Sequence, residues 1–171
     1  GANTALGFYA LRGTTTGTQN TMMGQVAGQY NTTGSYNIAI GSEALRNNTA
    51  GVGNVVMGST AGKDLNDASG TVGYNTLIGH DTGRGITTGG NNTIIGARVT
   101  GLPANLANNV IIADGQGNRR INVDSNGGVL IGASLSTAGT NRLEVKGGAI
   151  AAGSIGSGTG NGGQVRFYDL G

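Results

Sequence analysis

Asn20-Thr-Met-Met-Gly24 is one of seven versions of a single phrase, and their spacing decides the fold. The others are Asn3-Thr-Ala-Leu-Gly7, Asn37-Ile-Ala-Ile-Gly41, Asn54-Val-Val-Met-Gly58, Asn75-Thr-Leu-Ile-Gly79, Asn92-Thr-Ile-Ile-Gly96 and the variant Asn109-Val-Ile-Ile-Ala113. From one Asn to the next the steps are 17, 17, 17, 21, 17 and 17 residues. A fixed period of this length predicts a solenoid, because one repeat cannot bury its apolar face alone and must stack on its neighbours. No window carries a helical period, so the expectation is all-β: a parallel β-roll of about 17 residues per turn over residues 1–108.

With the Asn as position zero, positions two and three are both apolar. Position two holds Ala5, Met22, Ala39, Val56, Leu77 and Ile94; position three holds Leu6, Met23, Ile40, Met57, Ile78 and Ile95. Neighbours in a strand point to opposite faces, so both faces of this strand call for burial. One can fill the coil, while the other calls for a partner such as a second copy of the chain. Position seven is small or apolar (Ala10, Ala27, Ala44, Ala61, Thr82, Val99), which predicts a second short strand per turn. Position eight alternates as Leu11, Gly28, Leu45, Gly62, a 34-residue double repeat. Glycines 7, 24, 41, 58, 79 and 96 follow the phrase as corner residues, and the recurrent asparagines 3, 20, 37, 54, 75 and 92 are expected to stack from turn to turn.

Composition supports repetition over an ordinary core. Among 171 residues there are 36 glycines, one proline, seven aromatics and no tryptophan or cysteine, which excludes a disulfide framework and thiolate metal sites. A formal charge of +2 does not suggest nucleic-acid binding, and no apolar run reaches the roughly 18 residues needed to span a bilayer. The chain opens on Gly1, which suggests a processed product or a fragment.

The 21-residue step predicts a four-residue surface insertion within residues 63–74. Beyond Asn109 the repeat gives way to a β-hairpin over 110–124 with a Gly and Asn turn, a second turn at 125–128 and a short strand at 129–131. We divide the chain into a β-roll (1–108), a hairpin transition (109–135) and a thinner glycine-rich β shaft (136–171), with strand-like pieces at 143–145, 149–155 and 165–168 and a flexible link at 156–163.

Chemistry-bearing motifs are sparse. Asp114-Gly-Gln-Gly-Asn118 imitates a calcium loop, but Arg119 and Ser125 stand where glycine and glutamate are needed, so it reads as a hairpin turn. Gly158-Thr-Gly-Asn-Gly-Gly163 matches a dinucleotide fingerprint without the helix that motif requires. His80, the only histidine, reads as an exposed corner pair with Asp81. Asp114 and Asp124 are the two carboxylates expected near each other across the hairpin, the single arrangement for paired-carboxylate hydrolysis. No catalytic residue, cofactor or metal is assigned.

Position nine holds Arg12, Gln29, Arg46, Lys63 and Arg84. Stacked turns would align these into a basic stripe of Arg12, Arg46, Lys63 and Arg84, either a ladder for anionic surface glycan or a solvated rim that discourages edge pairing.

The Asn-Thr-Ala-Ile-Gly type of phrase, the Ala-Leu or Ala-Gly pair and Tyr30-Asn-Thr-Thr-Gly34 resemble the β-roll of trimeric autotransporter adhesin heads, and more closely the repeats of bacteriophage tail fibres. Asn109 to Gly132 and Asn141-Arg-Leu-Glu-Val145 are similar to tail-fibre shafts. The 17-residue period departs from the shorter adhesin repeat. The resemblance implies left-handed crossovers, a homotrimer, other tail or fibre proteins at its ends, a virion or cell-surface location, and contacts to host surface glycan or protein. A monomeric solenoid binding ice or polysaccharide through a Thr array (Thr4, Thr21, Thr76, Thr93) is the reading from a different class.

Overall fold

The computed structural model describes residues 1–70 and 73–132. The shaft expected at 136–171, with its strand pieces, link and fingerprint-like motif, lies outside the described residues. Within them there is no helix. Nine short strands form one sheet in sequence order: β1 (Thr4–Leu6), β2 (Thr21–Met23), β3 (Ile38–Ile40), β4 (Val55–Met57), β5 (Thr76–Ile78), β6 (Thr93–Ile95), β7 (Val110–Ala113), β8 (Arg119–Val123) and β9 (Val129–Ile131). Strands β1 to β7 are parallel and pair without slippage, Met22 on Ala39 and Val56 on Leu77, so each repeat is one turn of a β-solenoid.

The pleat divides positions two and three as the alternation requires. Met22, Ala39, Val56, Leu77, Ile94 and Ile111 point inward and are buried. Position three points outward with position one, forming a stripe of apolar side chains: Met23 and Ile78 are 37% exposed, Met57 41% and Ile95 43%.

The second strand expected around position seven is not formed. Positions six and eight take left-handed backbone conformations, as at Val26 (φ 52°), Glu43 (φ 58°) and Leu45 (φ 52°). These bend the chain where a strand would run straight. The ladder still continues there, with the Leu11 and Gly28 amides donating to the Ala27 and Ala44 carbonyls at 2.9 Å.

Packing explains the alternation at position eight. A Cβ on Gly28 would lie 2.7 Å from the Met22 sulfur, and one on Gly83 2.8 Å from a Leu77 methyl, while one on Gly62 would meet Leu77 of the next turn at 2.9 Å. Leu11 and Leu45 occur in the turns where position two is Ala5 or Ala39. Within a turn, then, the two positions divide one volume between them, and adding bulk to both would overpack it. At the corners, Gly41 has φ +131°, and a Cβ there would fall 2.6 Å from the Gly58 carbonyl.

Position seven is buried alanine in turns two to four and Val99 in turn six, but Thr82 in turn five, where its buried hydroxyl has no partner among the described residues. An unsatisfied buried hydroxyl costs about 1–3 kcal/mol. Thr82→Val keeps the shape and removes that group, so a stabilisation of about 1 kcal/mol or more is expected in thermal unfolding. A lower midpoint for Thr82→Val would show that the hydroxyl is satisfied in solution.

The insertion is confined to a few residues. The Ala50 amide donates to the Asp67 carbonyl, and Val52 pairs with Gly73, so register is intact up to 67 and again from 73. The four extra residues of the 21-residue step therefore fall between Asp67 and Gly73.

The hairpin expected after Asn109 is present, with β7 to β9 antiparallel. Asp114 and Asp124 are not a pair, because Val110 faces Val123 and Ile112 faces Ile121, which sends the two carboxylates to opposite ends of β8. Each caps its own turn: Asp114 accepts the Gln116 and Asn118 amides, and Asp124 those of Asn126 and Gly128. The Asn118 side-chain bond, opposed by desolvation and aided by the two amides and Arg120, holds Asp114 far below the usual carboxylate range.

Candidate functional site

The recurrent asparagines form one buried amide ladder. From Asn3 to Asn75 each Oδ1 accepts both the backbone N–H and the side-chain Nδ2 of the next Asn, as from Asn20 to Asn37 at 3.0 and 3.2 Å, while Asn92 accepts only the Asn109 backbone N–H. The same Nδ2 donates its second proton across the coil to the carbonyl at position fourteen, Asn37 to Gly51 at 2.8 Å and Asn75 to Gly89 at 3.2 Å. Each interior Asn thus ties two points of its own turn together and joins that turn to the next. These residues are the scaffold; from Asn20 to Asn109 they are buried and present nothing to a ligand.

A second amide pair had no place in the sequence reading. Asn48 Nδ2 donates to Asn31 Oδ1 at 2.9 Å, and each side chain also bonds the carbonyl three residues on, Gly34 or Gly51. Its signal was the same 17-residue step at position eleven, hidden because the next two turns place Leu65 and Ile86 there.

Position nine lies along one edge of the coil, as its period requires, but most of its cations are paired. Arg46 meets Glu43 at 3.2 Å, and Lys63 bonds the same carboxylate from the next turn. Arg84 meets Asp81 and Asp64, each at 2.7 Å. Asp81 therefore serves Arg84 and the Thr60 hydroxyl, and no Asp81 bond to His80 is formed. The Lys63 bond, opposed by desolvation and aided by the charges of Lys63 and Arg46, holds the Glu43 pKa below its usual value. Desolvation alone would raise Asp64, but bonds from Arg84 and the Gly85 amide and the two nearby cations outweigh it and lower its pKa. The Asp64 bond correspondingly raises Arg84. These pairs are about a third exposed, so each contributes at most about 1 kcal/mol. Their effect is to set a mixed-charge edge in which four cations face three carboxylates.

The surplus charge sits at one end. Arg12 has no carboxylate partner among the described residues; its guanidinium lies 4.5 Å from the Tyr9 ring centre. Beside it Arg12, Gly13, Gln29 and Tyr30 enclose a recess of about 160 Å³. Tyr30 is 46% exposed and takes the Arg46 guanidinium at 5.5 Å, while Gln29 is buried and accepts the Arg46 Nε–H at 3.1 Å.

The outward strand face is the other candidate surface. Thr4, Thr21, Ile38, Val55, Thr76, Thr93 and Val110 line it at position one, beside the apolar residues of position three. No helix among the described residues is long and apolar enough to cross a membrane. Comparison with known protein families, curated proteins and solved structures finds no match to this chain.

Proposed function

We propose that this chain is a structural and adhesive segment of a homotrimeric fibre, of the kind found in phage tail fibres or contractile injection systems. The observation that carries the reading is the outward stripe. It continues through all seven parallel strands, a length of about 29 Å at the usual strand spacing. Monomeric proteins rarely leave so ordered an apolar surface in water, and a second and third copy of the same chain supply matching stripes.

In this reading the mechanism is geometric. The ladder of buried amides keeps the coil stiff, the stripes hold three coils together, and the mixed-charge edge faces outward toward surface glycan or protein. Three weak contacts on one rigid body bind with an avidity that none has alone. The segment performs no catalysis, holds no cofactor or metal, and joins further tail or fibre proteins at its ends, in a virion or at a cell surface. A bacterial adhesin head uses the same arrangement with a stalk and anchor.

The test is solution mass by light scattering on a sizing column. Three times the 16.9 kDa chain mass is the expected result. A folded monomer would instead favour the second reading, a solenoid that binds ice or polysaccharide. That reading has its own observation in the position-one threonines, which stand in line on the outward face with Ile38 and Val55 between them.

A further inference from the structure

We propose that the recess between Arg12 and Tyr30 binds one acidic sugar residue, with its carboxylate on the Arg12 guanidinium and the Gln29 amide and its ring against Tyr30. This rests on the reading of the mixed-charge edge as adhesive, and narrows it from a whole stripe to one subsite. Three observations carry it. Arg12 is the one member of the stripe without a carboxylate partner among the described residues, so its charge is available to a ligand. Gln29 lines the recess and is 93% buried; its Oε1 is engaged by Arg46, and its Nε2 donates to no group among the described residues. Tyr30 offers a half-exposed aromatic plane at the rim.

The chemistry of this lining selects the ligand class. Arg12 and the Gln29 Nε2 are donors, so the ligand must bring acceptors, and a planar carboxylate matches the guanidinium fork. The space equals about five water molecules, too small for a drug-sized ligand and on the scale of one substituted ring. A peptide fits less well. The local backbone amides are already used, Gly13 donating to the Gln29 carbonyl and Tyr30 to that of Arg46, so a peptide main chain finds no ladder to join.

The probe is tetragalacturonate, titrated into the ¹⁵N-labelled full chain while the Arg12 Nε–H and Gln29 side-chain amide signals are followed. Both signals are expected to shift. Arg12→Gln should weaken binding at least about tenfold, the loss of one charge-assisted bond. Tyr30→Leu should weaken it as well, and Arg120→Gln, on the hairpin, should leave it unchanged. Arg12 is exposed, so its replacement leaves the fold intact. Equal binding by Arg12→Gln, by the methyl-esterified tetramer, or tighter binding of an acidic peptide or a sulfated sugar of the same length, would overturn the proposal. Adsorption of labelled chain to bacterial cells separates the two readings. If Arg12→Gln adsorbs like the parent, the subsite fails and the adhesive reading stands; if the parent titrates in solution but adsorbs to no cell, the reverse holds.

Discussion

Asn37→Leu is expected to destabilise the protein by roughly 3–6 kcal/mol. Asn37 is fully buried in the third turn. Its Oδ1 accepts the Asn54 backbone amide at 3.0 Å and the Asn54 Nδ2 at 3.1 Å, and its Nδ2 donates to Asn20 Oδ1 and to the Gly51 carbonyl. A leucine fills the space but leaves the Asn54 N–H buried without a partner, and it removes one of the two bonds that the Gly51 C=O accepts, the other coming from Asn48. That orphan costs about 1–3 kcal/mol, and Gly51, Asn20 and the Asn54 side chain lose one bond apiece, each worth about 0.5–1.5 kcal/mol. Asn109→Leu, at the end of the ladder, is the contrast. The Asn109 Oδ1 accepts no bond among the described residues and its Nδ2 reaches only the Ala107 carbonyl, so about 1 kcal/mol is expected. Urea unfolding at equal slope measures both. A loss under about 1 kcal/mol for Asn37→Leu would mean that the ladder is ornament and that the strands alone hold the turns in register.

How far the sequence carries this architecture depends on which physical term is at issue. The strand and its facing were legible, because alternation and a 17-residue period together fix which side chains meet from turn to turn. Met22 and Leu77 inside, Met23 and Ile78 outside, follow from pleat geometry alone. The backbone at Val26 and Glu43 was not legible. Neither residue type favours positive φ, and each is held there by the closure of the coil around it, so the position reads as strand until the turn is built. The alternation of Leu45 with Gly28 and Gly62 was visible as a pattern, but its cause is a shared volume with position two.

The edge was legible only in part. Position nine gave the alignment of Arg12, Arg46, Lys63 and Arg84, yet their partners come from positions six and ten and from adjoining turns. A one-dimensional reading counts cations along one offset and does not see Glu43 between two of them. Only after those pairs are formed does Arg12 stand apart, and with it the Gln29 and Tyr30 recess.

The double change Met23→Asp with Ile78→Asp is expected to convert the assembly from three chains to one while leaving each coil folded. Both side chains point outward and are 37% exposed in the single chain, so two aspartates there meet water and cost little, as surface substitutions usually do. They lie on β2 and β5, three strand spacings or about 14 Å apart, too far for their charges to strain one coil. In the proposed trimer the same positions are sealed against neighbouring stripes, where an unpaired carboxylate carries a desolvation cost of several kcal/mol. Three chains would place six such carboxylates in one interface. Leu77→Asp is the internal control: it neighbours Ile78 but is fully buried, and it should unfold the coil itself. Light scattering with circular dichroism reads all three cases. A trimeric Met23→Asp, Ile78→Asp protein would show that the stripe is not the interchain surface. The copies would then meet through another surface, and the position-three stripe would be free for a ligand.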